Sequence, residues 1–526
     1  MNASPDLSTA RRAQELQELA GGRVDLVVIG GGITGCGVAL DAASRGLSVA
    51  LLERHDLAHG TSRWSSKLVH GGLRYLAQGQ IGVAAESARE RHHLITSIAP
   101  HLVRPLATVI PFTADLSRSK RATLRIGYKL GDGLRRGAGT SSTVLDRSRR
   151  VDADDATTRI PALSRDGLGG ALIGWDGQLE DDARLVVAVA RTAAAHGAKI
   201  ITRCAVTGVE RGAVHAEDSL TGEAFSLEAA HVINAAGVWA GELATDVKLT
   251  PSKGSHIIVP AKCLGHPTGS LTVPALGGGA KYVFAIPTPD ETVMIGLTDT
   301  EFEGAIPDLP VVEEWEIELL LATISSVLDA PLERADVIGS FAGLRPLLQP
   351  SGSESSGATA DVSREHQVIE DAATGMLSVV GGKLTTYRRM AEDAVDQITD
   401  RTCVTRTIAL IGAGGARPAD RELPDRLKRR YGAEAARVAG FAENDVALLN
   451  PAADGTQITG AELRFAAVSE LAMTTEDLLD RRTRAGLTPE LRTRLEPAAN
   501  AALEWASQHQ SIKPEGVARG NTAASN

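Results

Sequence analysis

The sequence predicts an α/β protein: a parallel-sheet domain, an inserted domain with an antiparallel sheet, and a helical C-terminal domain. Three observations carry that prediction. Residues 24–29 form a short apolar run that stops at three glycines, residues 33–45 are small and helix-compatible, and residues 47–52 are a second apolar run. Strand, glycine turn, helix and strand in about thirty residues make a βαβ unit, with strands buried on both faces. Between about 250 and 345 the texture alternates, as in 255–259, 282–286 and 293–297, which predicts an antiparallel sheet. Beyond a Gly/Pro-rich linker at 411–420, residues 421–508 are charged and repeat with helical period.

The remaining elements fall in order around these. A polar helix at 8–20 leads into the first strand, so residues 1–22 read as a leader. An alanine-rich helix at 183–196 and strands at 199–203, 231–234 and 376–380 extend the parallel sheet, and a helix follows at 385–398. The main region is then 23–410, interrupted by inserted segments mainly at about 75–165 and 250–345. The helical domain spans 421–510, the Gly/Ser stretch 351–358 is a loop, and the Ala/Ser/Asn-rich tail 511–526 is expected to be disordered. There is no internal repeat.

A chain of 526 residues with 43% hydrophobic residues suits a multi-domain globular protein. Its net charge of −10 argues against a nucleic-acid partner, which usually needs a basic face. Cys36, Cys204, Cys263 and Cys403 lie far apart with no CxxC pair, which predicts neither a metal centre nor a disulfide framework and fits a reducing compartment. No secretory-type leader and no run of about 18 apolar residues occurs. The chain is expected to be cytoplasmic, with peripheral attachment to the cytoplasmic face of the inner membrane left open. Residues 117–136 hold seven Lys/Arg and one Asp interleaved with Leu124, Ile126, Tyr128 and Leu130. Such a segment suits an anionic bilayer surface or a solvated basic helix, and the pattern alone does not choose.

The first βα turn carries the chemistry. Gly30, Gly32 and Gly35 form G-x-G-x-x-G, with Gly31 inside it, directly after a strand and at the mouth of a helix. The spacing gives a tight turn, close backbone approach to a pyrophosphate, and close helix–strand packing. The helix N-terminus offers free N–H groups to the phosphates. Glu53 ends the second strand, where its carboxylate can accept from ribose hydroxyls. The fingerprint by itself does not separate FAD from NAD. The loop that follows, with Thr61, Ser62, Ser65, Ser66, Lys67 and His70, is rich in small hydroxyl residues that can line an extended cofactor, and so leans to FAD.

At this point the sequence resembles a known family. Residues 29–41 with Arg45-Gly46 are similar to the first signature of FAD-dependent glycerol-3-phosphate dehydrogenases, and Gly381-Gly382-Lys383-Leu384-Thr385-Thr386-Tyr387-Arg388 to the second. Residues 65–76, Lys253-Gly254-Ser255-His256, Asp181-Asp182-Ala183-Arg184-Leu185 and Gly343-Leu344-Arg345-Pro346 match between them in order. The resemblance is close over about 24–400 and loose over the C-terminal helices. It implies a glutathione-reductase-like FAD (Rossmann) domain, an antiparallel-sheet substrate domain and a helical cap. It further implies a non-covalent FAD, oxidation of sn-glycerol 3-phosphate to dihydroxyacetone phosphate, a membrane quinone as electron acceptor, and a homodimer.

A dianionic phosphate calls for arginine, whose planar fork bonds two oxygens at once. Arg74 and Arg345 match the family in glycine-containing turns and are the expected substrate ligands. Lys383 is expected to reach the substrate or the flavin edge, where positive charge stabilises a reduced flavin. The C2 hydroxyl proton needs a base of near-neutral pKa, and His256 is the candidate, ahead of His70. Asp299 is expected to orient His256 or bond a substrate hydroxyl, and Tyr75 to bond phosphate or hydroxyl. Ala236, Gly237, Gly382, Leu384 and Thr385 complete the expected cofactor contacts. The alternatives are an oxidase that passes electrons to oxygen, which in this resemblance carries an insertion not seen here; another FAD oxidoreductase acting on an amine or a different hydroxy acid, against which Arg74, Arg345 and Lys383 argue; and a non-catalytic FAD-binding protein.

Overall fold

The computed structural model describes residues 3–72, 75–76, 79–244, 246–276, 282–296, 298–348, 365–415 and 420–509. Arg74, the 351–358 loop and the 511–526 tail lie outside them. Two sheets organise the chain. The first has eight strands, with Gln367–Glu370, Leu377–Val380, Glu223–Asn234, Arg23–Ile29, Val49–Leu52 and Lys199–Ile201 side by side in that order. Its centre is parallel, as apolar runs without alternation predict: Arg23–Ile29 pairs in parallel with both Glu223–Asn234 and Val49–Leu52. The βαβ unit is closed by the helix Ile33–Ser44, which is buried along nearly its whole length. Its small residues let it pack in one core with the helices Asp182–Ala195 and Tyr387–Val395.

The second sheet has ten strands. Thr300–Glu301, Ser252–Pro260, Thr292–Gly296, Tyr282–Pro287, Ser270–Pro274, Val103–Pro111, Ala171–Leu179 and Leu68–Val69 follow one another, and Gly339–Arg345 pairs on Ser252–Pro260. All pairs are antiparallel except Ser270–Pro274 with Val103–Pro111. The alternating runs expected at 255–259 and 282–286 lie within these strands, as do residues 293–296 of the third, whose residue 297 lies outside the described residues. The strand Ala171–Leu179 was not expected. Its Gly174-Trp175-Asp176-Gly177 centre lacks the alternation that marks a strand in sequence.

The leading residues are stitched into the fold. Arg12 donates to Thr202 O at 2.7 Å and to the Asp218 carboxylate at 2.6 Å, while Leu7 and Leu19 are buried. The C-terminal helices include Asp425–Tyr431, Gly460–Ser469 and Pro489–His509. Buried ion pairs tie this region to the parallel-sheet domain: Arg184 to Glu470, Arg191 to Glu434, and both Arg481 and Arg482 to Asp56. The two guanidinium groups hold the Asp56 carboxyl well below its usual range despite full burial.

Truncating one member of such a cluster leaves a buried charge unpaired, which costs about 3–5 kcal/mol. Asp56→Ala is therefore expected to lower the urea midpoint markedly with little change in slope. Because the folded-state pKa of Asp56 is depressed, its contribution is present above the unfolded carboxyl pKa of about 4 and is lost as pH falls below it. An Asp56→Ala protein as stable as its parent contradicts this.

Candidate active site

A cavity of about 810 Å³ lies at the C-terminal ends of the parallel strands and is lined on another side by the antiparallel sheet. The glycine turn forms one wall. Gly30 has φ +107°, and a β-carbon there would lie 2.7 Å from Ala235 O; one on Gly35 would lie 1.9 Å from Gly30 O. The turn therefore accepts no side chain, and the helix Ile33–Ser44 begins at the cavity with no side-chain cap from Gly32. Ile33 N–H donates to Ser62 Oγ at 2.9 Å. Glu53 also lines the cavity, accepting from Gly31 N–H at 2.5 Å and from His55 N–H at 2.7 Å. Burial pushes its carboxyl up, and these two hydrogen bonds pull it back only in part.

A helix N-terminus that opens on glycine at the cavity and a carboxylate on the neighbouring strand fit a dinucleotide such as FAD, with the pyrophosphate at the first and the ribose at the second. Thr61, Ser62, Ser65, Ser66, His70, Ala236, Gly237, Gly382, Leu384 and Thr385 line the same cavity. Several hydroxyls already have protein partners: Thr61 Oγ1 donates to Leu344 O, and Ser65 Oγ to Asp182. Lys67 does not line it. Its ammonium turns away to Asp182 at 3.3 Å and lies over the Phe341 ring. Gly31 and Gly35 stand behind the lining and shape it.

His256, Arg345, Lys383, His70 and Tyr75 line the same cavity. The strands Ser252–Pro260 and Gly339–Arg345 pair so that Ser252 faces Arg345. Arg345 Nη1 donates to Ser252 Oγ at 3.1 Å and reaches Asp299 at 3.4 Å, and Nη2 donates to Thr298 O at 3.2 Å. Asp299 does not line the cavity. It accepts from Ser252 Oγ and faces Arg345, so the expected contact with His256 is replaced by one that orients the guanidinium. Lys383 Nζ donates to Ser87 Oγ at 2.6 Å and sits 4.0 Å from the Tyr75 ring centroid, which puts Tyr75 beneath the ammonium.

His256 is 2% exposed, stacked on Phe341 at 4.6 Å, with Nε2 2.9 Å from Ser66 Oγ. Nδ1 has no hydrogen-bond partner among the described residues. Burial, with the Lys67 and Arg345 cations beside it, lowers its pKa to about 3. The expectation of a near-neutral imidazole is thus corrected: in this environment the ring is a neutral acceptor far below neutral pH. The ring also depends on its cross-strand neighbour. A β-carbon on Gly296 would lie 2.1 Å from His256 Cδ2, and Phe341 blocks retreat on the stacked face. Gly296→Ala is expected to cost about 1–3 kcal/mol of stability and to displace the imidazole. Thermal unfolding checks the first, and a variant with unchanged melting and turnover contradicts both.

Sequence reasoning missed several wall residues. Asp176 lines the cavity, is ion-paired with Arg91, and accepts from Gly71 N–H at 2.8 Å; its position between glycines on a strand was the available signal. Thr272 Oγ1 is buried in the wall with no partner among the described residues, and Tyr128 and Tyr282 lie nearby in the lining. No metal centre was expected. Among the described residues, His55, His59 and the exposed Asp308 bring three ligand atoms within 4.8 Å, but Arg54, Arg63 and Arg481 put positive charge beside them.

A parallel sheet with this glycine turn, joined to an antiparallel sheet across one cavity, is the frame of a dinucleotide-binding protein. The family model described as FAD dependent oxidoreductase matches residues 25–388, and the C-terminal domain of alpha-glycerophosphate oxidase matches 373–510. The glycerol-3-phosphate dehydrogenase 1 of Mycobacterium tuberculosis is 49% identical over 514 residues, covering 96% of this chain and 99% of its own. The glycerol-3-phosphate dehydrogenase of Synechocystis is 33% identical, with 90% of each chain covered. A solved glycerol-3-phosphate dehydrogenase from Bacillus halodurans, complexed with FAD, superposes with a TM-score of 0.70 at 27% identity, over 95% of this chain and 94% of that one. The chain belongs to the FAD-dependent glycerol-3-phosphate dehydrogenase family.

Proposed function

We propose that the protein oxidises sn-glycerol 3-phosphate to dihydroxyacetone phosphate and hands the electrons to a membrane quinone. The observation that carries this reading is that Arg345, Lys383 and His256 line the same cavity as the dinucleotide turn. Cations for a phosphate and a neutral imidazole for a hydroxyl proton then share one space. FAD, when bound, supplies the acceptor for the hydride that leaves C2. Gly30, Gly32, Glu53, Ser62, Gly237 and Gly382 would hold it.

Arg345, braced by Asp299 and Ser252, presents a fixed fork to the phosphate. Arg74 is proposed as a second phosphate ligand. Lys383 adds positive charge near the carbon that reacts, and Tyr75 fixes its ammonium from below. His256 accepts the C2 hydroxyl proton, its ring orientation set by Phe341 and Ser66.

The quinone and a peripheral membrane position are supported by the helix Arg118–Gly137. Its residues Leu124, Ile126, Tyr128 and Leu130 line the cavity mouth, Ile126 and Leu130 are exposed, and basic side chains surround them. A basic helix with exposed apolar side chains suits an anionic bilayer surface. Among the described residues no helix is long and apolar enough to cross a membrane. The homodimer belongs to the same proposal, and light scattering tests it. Turnover of glycerol 3-phosphate with a soluble quinone under argon, compared with peroxide release in air, separates this reading from an oxidase. Peroxide formed at the rate of substrate loss, with no quinone reduction, contradicts it.

A further inference from the structure

We propose that Asp182 is a positioning residue for His256, clamped from the C-terminal region by Arg484. This rests on His256 being part of the reacting site. Residues 65–67 form a strip that leads into the strand Leu68–Val69 beside the cavity, and its middle residue, Ser66, places Oγ 2.9 Å from His256 Nε2. That is the one ring-nitrogen contact His256 makes among the described residues, so the seat of Ser66 decides how the imidazole is held.

The strip is fastened on both sides of Ser66 to one carboxylate. Asp182 Oδ2 accepts from Ser65 N–H at 2.9 Å and from Ser65 Oγ at 2.8 Å, and Lys67 Nζ lies 3.3 Å from Oδ1. Lys67 is held with φ +53°, a conformation unfavourable for a residue with a β-carbon, and its N–H donates to Ser65 Oγ at 3.0 Å. Asp182 is fully buried, opens the helix Asp182–Ala195, and accepts from Ala183 N–H at 3.0 Å. It is therefore fixed by the rigid helix that packs on the glycine-turn helix. A buried carboxylate needs cations, and the second one arrives from far along the chain. Arg484 Nε lies 3.5 Å from Asp181 and 3.9 Å from Asp182, its guanidinium stacks 5.0 Å from the Trp64 ring centroid, and it also donates to Arg63 O. Arg484 itself has φ +66°. The C-terminal region thus holds Arg63 and Trp64, and it reaches the carboxylate that anchors residues 65–67. Asp182 does not line the cavity; it acts through Ser66.

The test uses the FAD-loaded enzyme and the variants Ser66→Ala and Asp182→Asn, alone and combined. Flavin reduction by glycerol 3-phosphate is followed by stopped flow, and FAD content by absorbance. Each single variant is expected to lower the limiting rate by about tenfold to a hundredfold, with KM changed by less than about threefold. The combined variant is expected to be no slower than the slower single one, because both interrupt one chain of contacts. Effects that multiply, or an Asp182→Asn enzyme reduced at the parental rate while His256→Asn is slow, overturn the proposal. Should Asp182→Asn fail to fold, Arg484→Gln is combined with Ser66→Ala and judged the same way. In 15N-histidine-labelled enzyme, the His256 ring signals are expected to move on Asp182→Asn. Unmoved signals sink the positioning role. Moved signals beside a His256→Asn enzyme of normal rate uphold it and sink the proton-acceptor reading alone.

Discussion

His256→Asn is expected to slow reduction of the bound flavin by about 10²–10⁴-fold while FAD stays in place. Asparagine keeps a hydrogen-bonding side chain of similar reach for Ser66 but has no basicity. The pH profile carries a sharper expectation. Burial beside Lys67 and Arg345 lowers the imidazole to about 3, so in the substrate-free enzyme it is neutral and able to accept a proton from mildly acidic pH upward. A phosphate dianion bound at Arg345 brings negative charge to the site and raises that pKa. The acid limb of the limiting rate is therefore expected above pH 3, and absent from the Asn variant. Stopped-flow reduction across pH decides it. An Asn variant with the parental rate and profile removes His256 from the chemistry and turns attention to His70.

Arg345→Ala should weaken binding of glycerol 3-phosphate by roughly 3 kcal/mol, about a hundredfold, because the phosphate loses a charged, doubly bonding partner in a partly buried site. The flavin spectrum should be unchanged. Asp299 and Ser252, which brace the guanidinium, still bond each other and limit the damage to the fold. Lysine should restore only part of the affinity, since an ammonium cannot reproduce the fork. Substrate titration of the flavin absorbance measures this. Near-parental affinity in Arg345→Ala means that the phosphate sits elsewhere.

What could be read from the sequence was whatever a short stretch of backbone decides. The glycine turn and Glu53 were legible because spacing alone fixes the βαβ geometry, and the structure puts them on one cavity wall. Three of the strands within 250–345 were legible through the runs at 255–259, 282–286 and 293–297, whereas Ser270–Pro274 and Gly339–Arg345 were not. His256 and Arg345 were legible only through resemblance, since nothing local distinguishes them from structural residues. Asp182 lay inside a matched block, yet its contacts to Ser65 and Lys67 span more than a hundred residues, and no spacing rule reaches that far. Arg91 and Asp176 pair across 85 residues, which no spacing rule reaches either. Arg481, Arg482 and Arg484 read as the charged side of a helix, whereas the structure buries all three in ion pairs against Asp56, Asp181 and Asp182. Asp299 shows a further limit: the sequence brought it near the site, but only the fold shows that it faces Arg345.

The most direct test of the account is anaerobic titration of the purified protein with sn-glycerol 3-phosphate. The expected result is a yellow protein with about one FAD per chain, whose absorbance near 450 nm bleaches on adding substrate and returns when a quinone is added. A colourless protein that takes up NAD, or a flavin that glycerol 3-phosphate leaves oxidised, contradicts it.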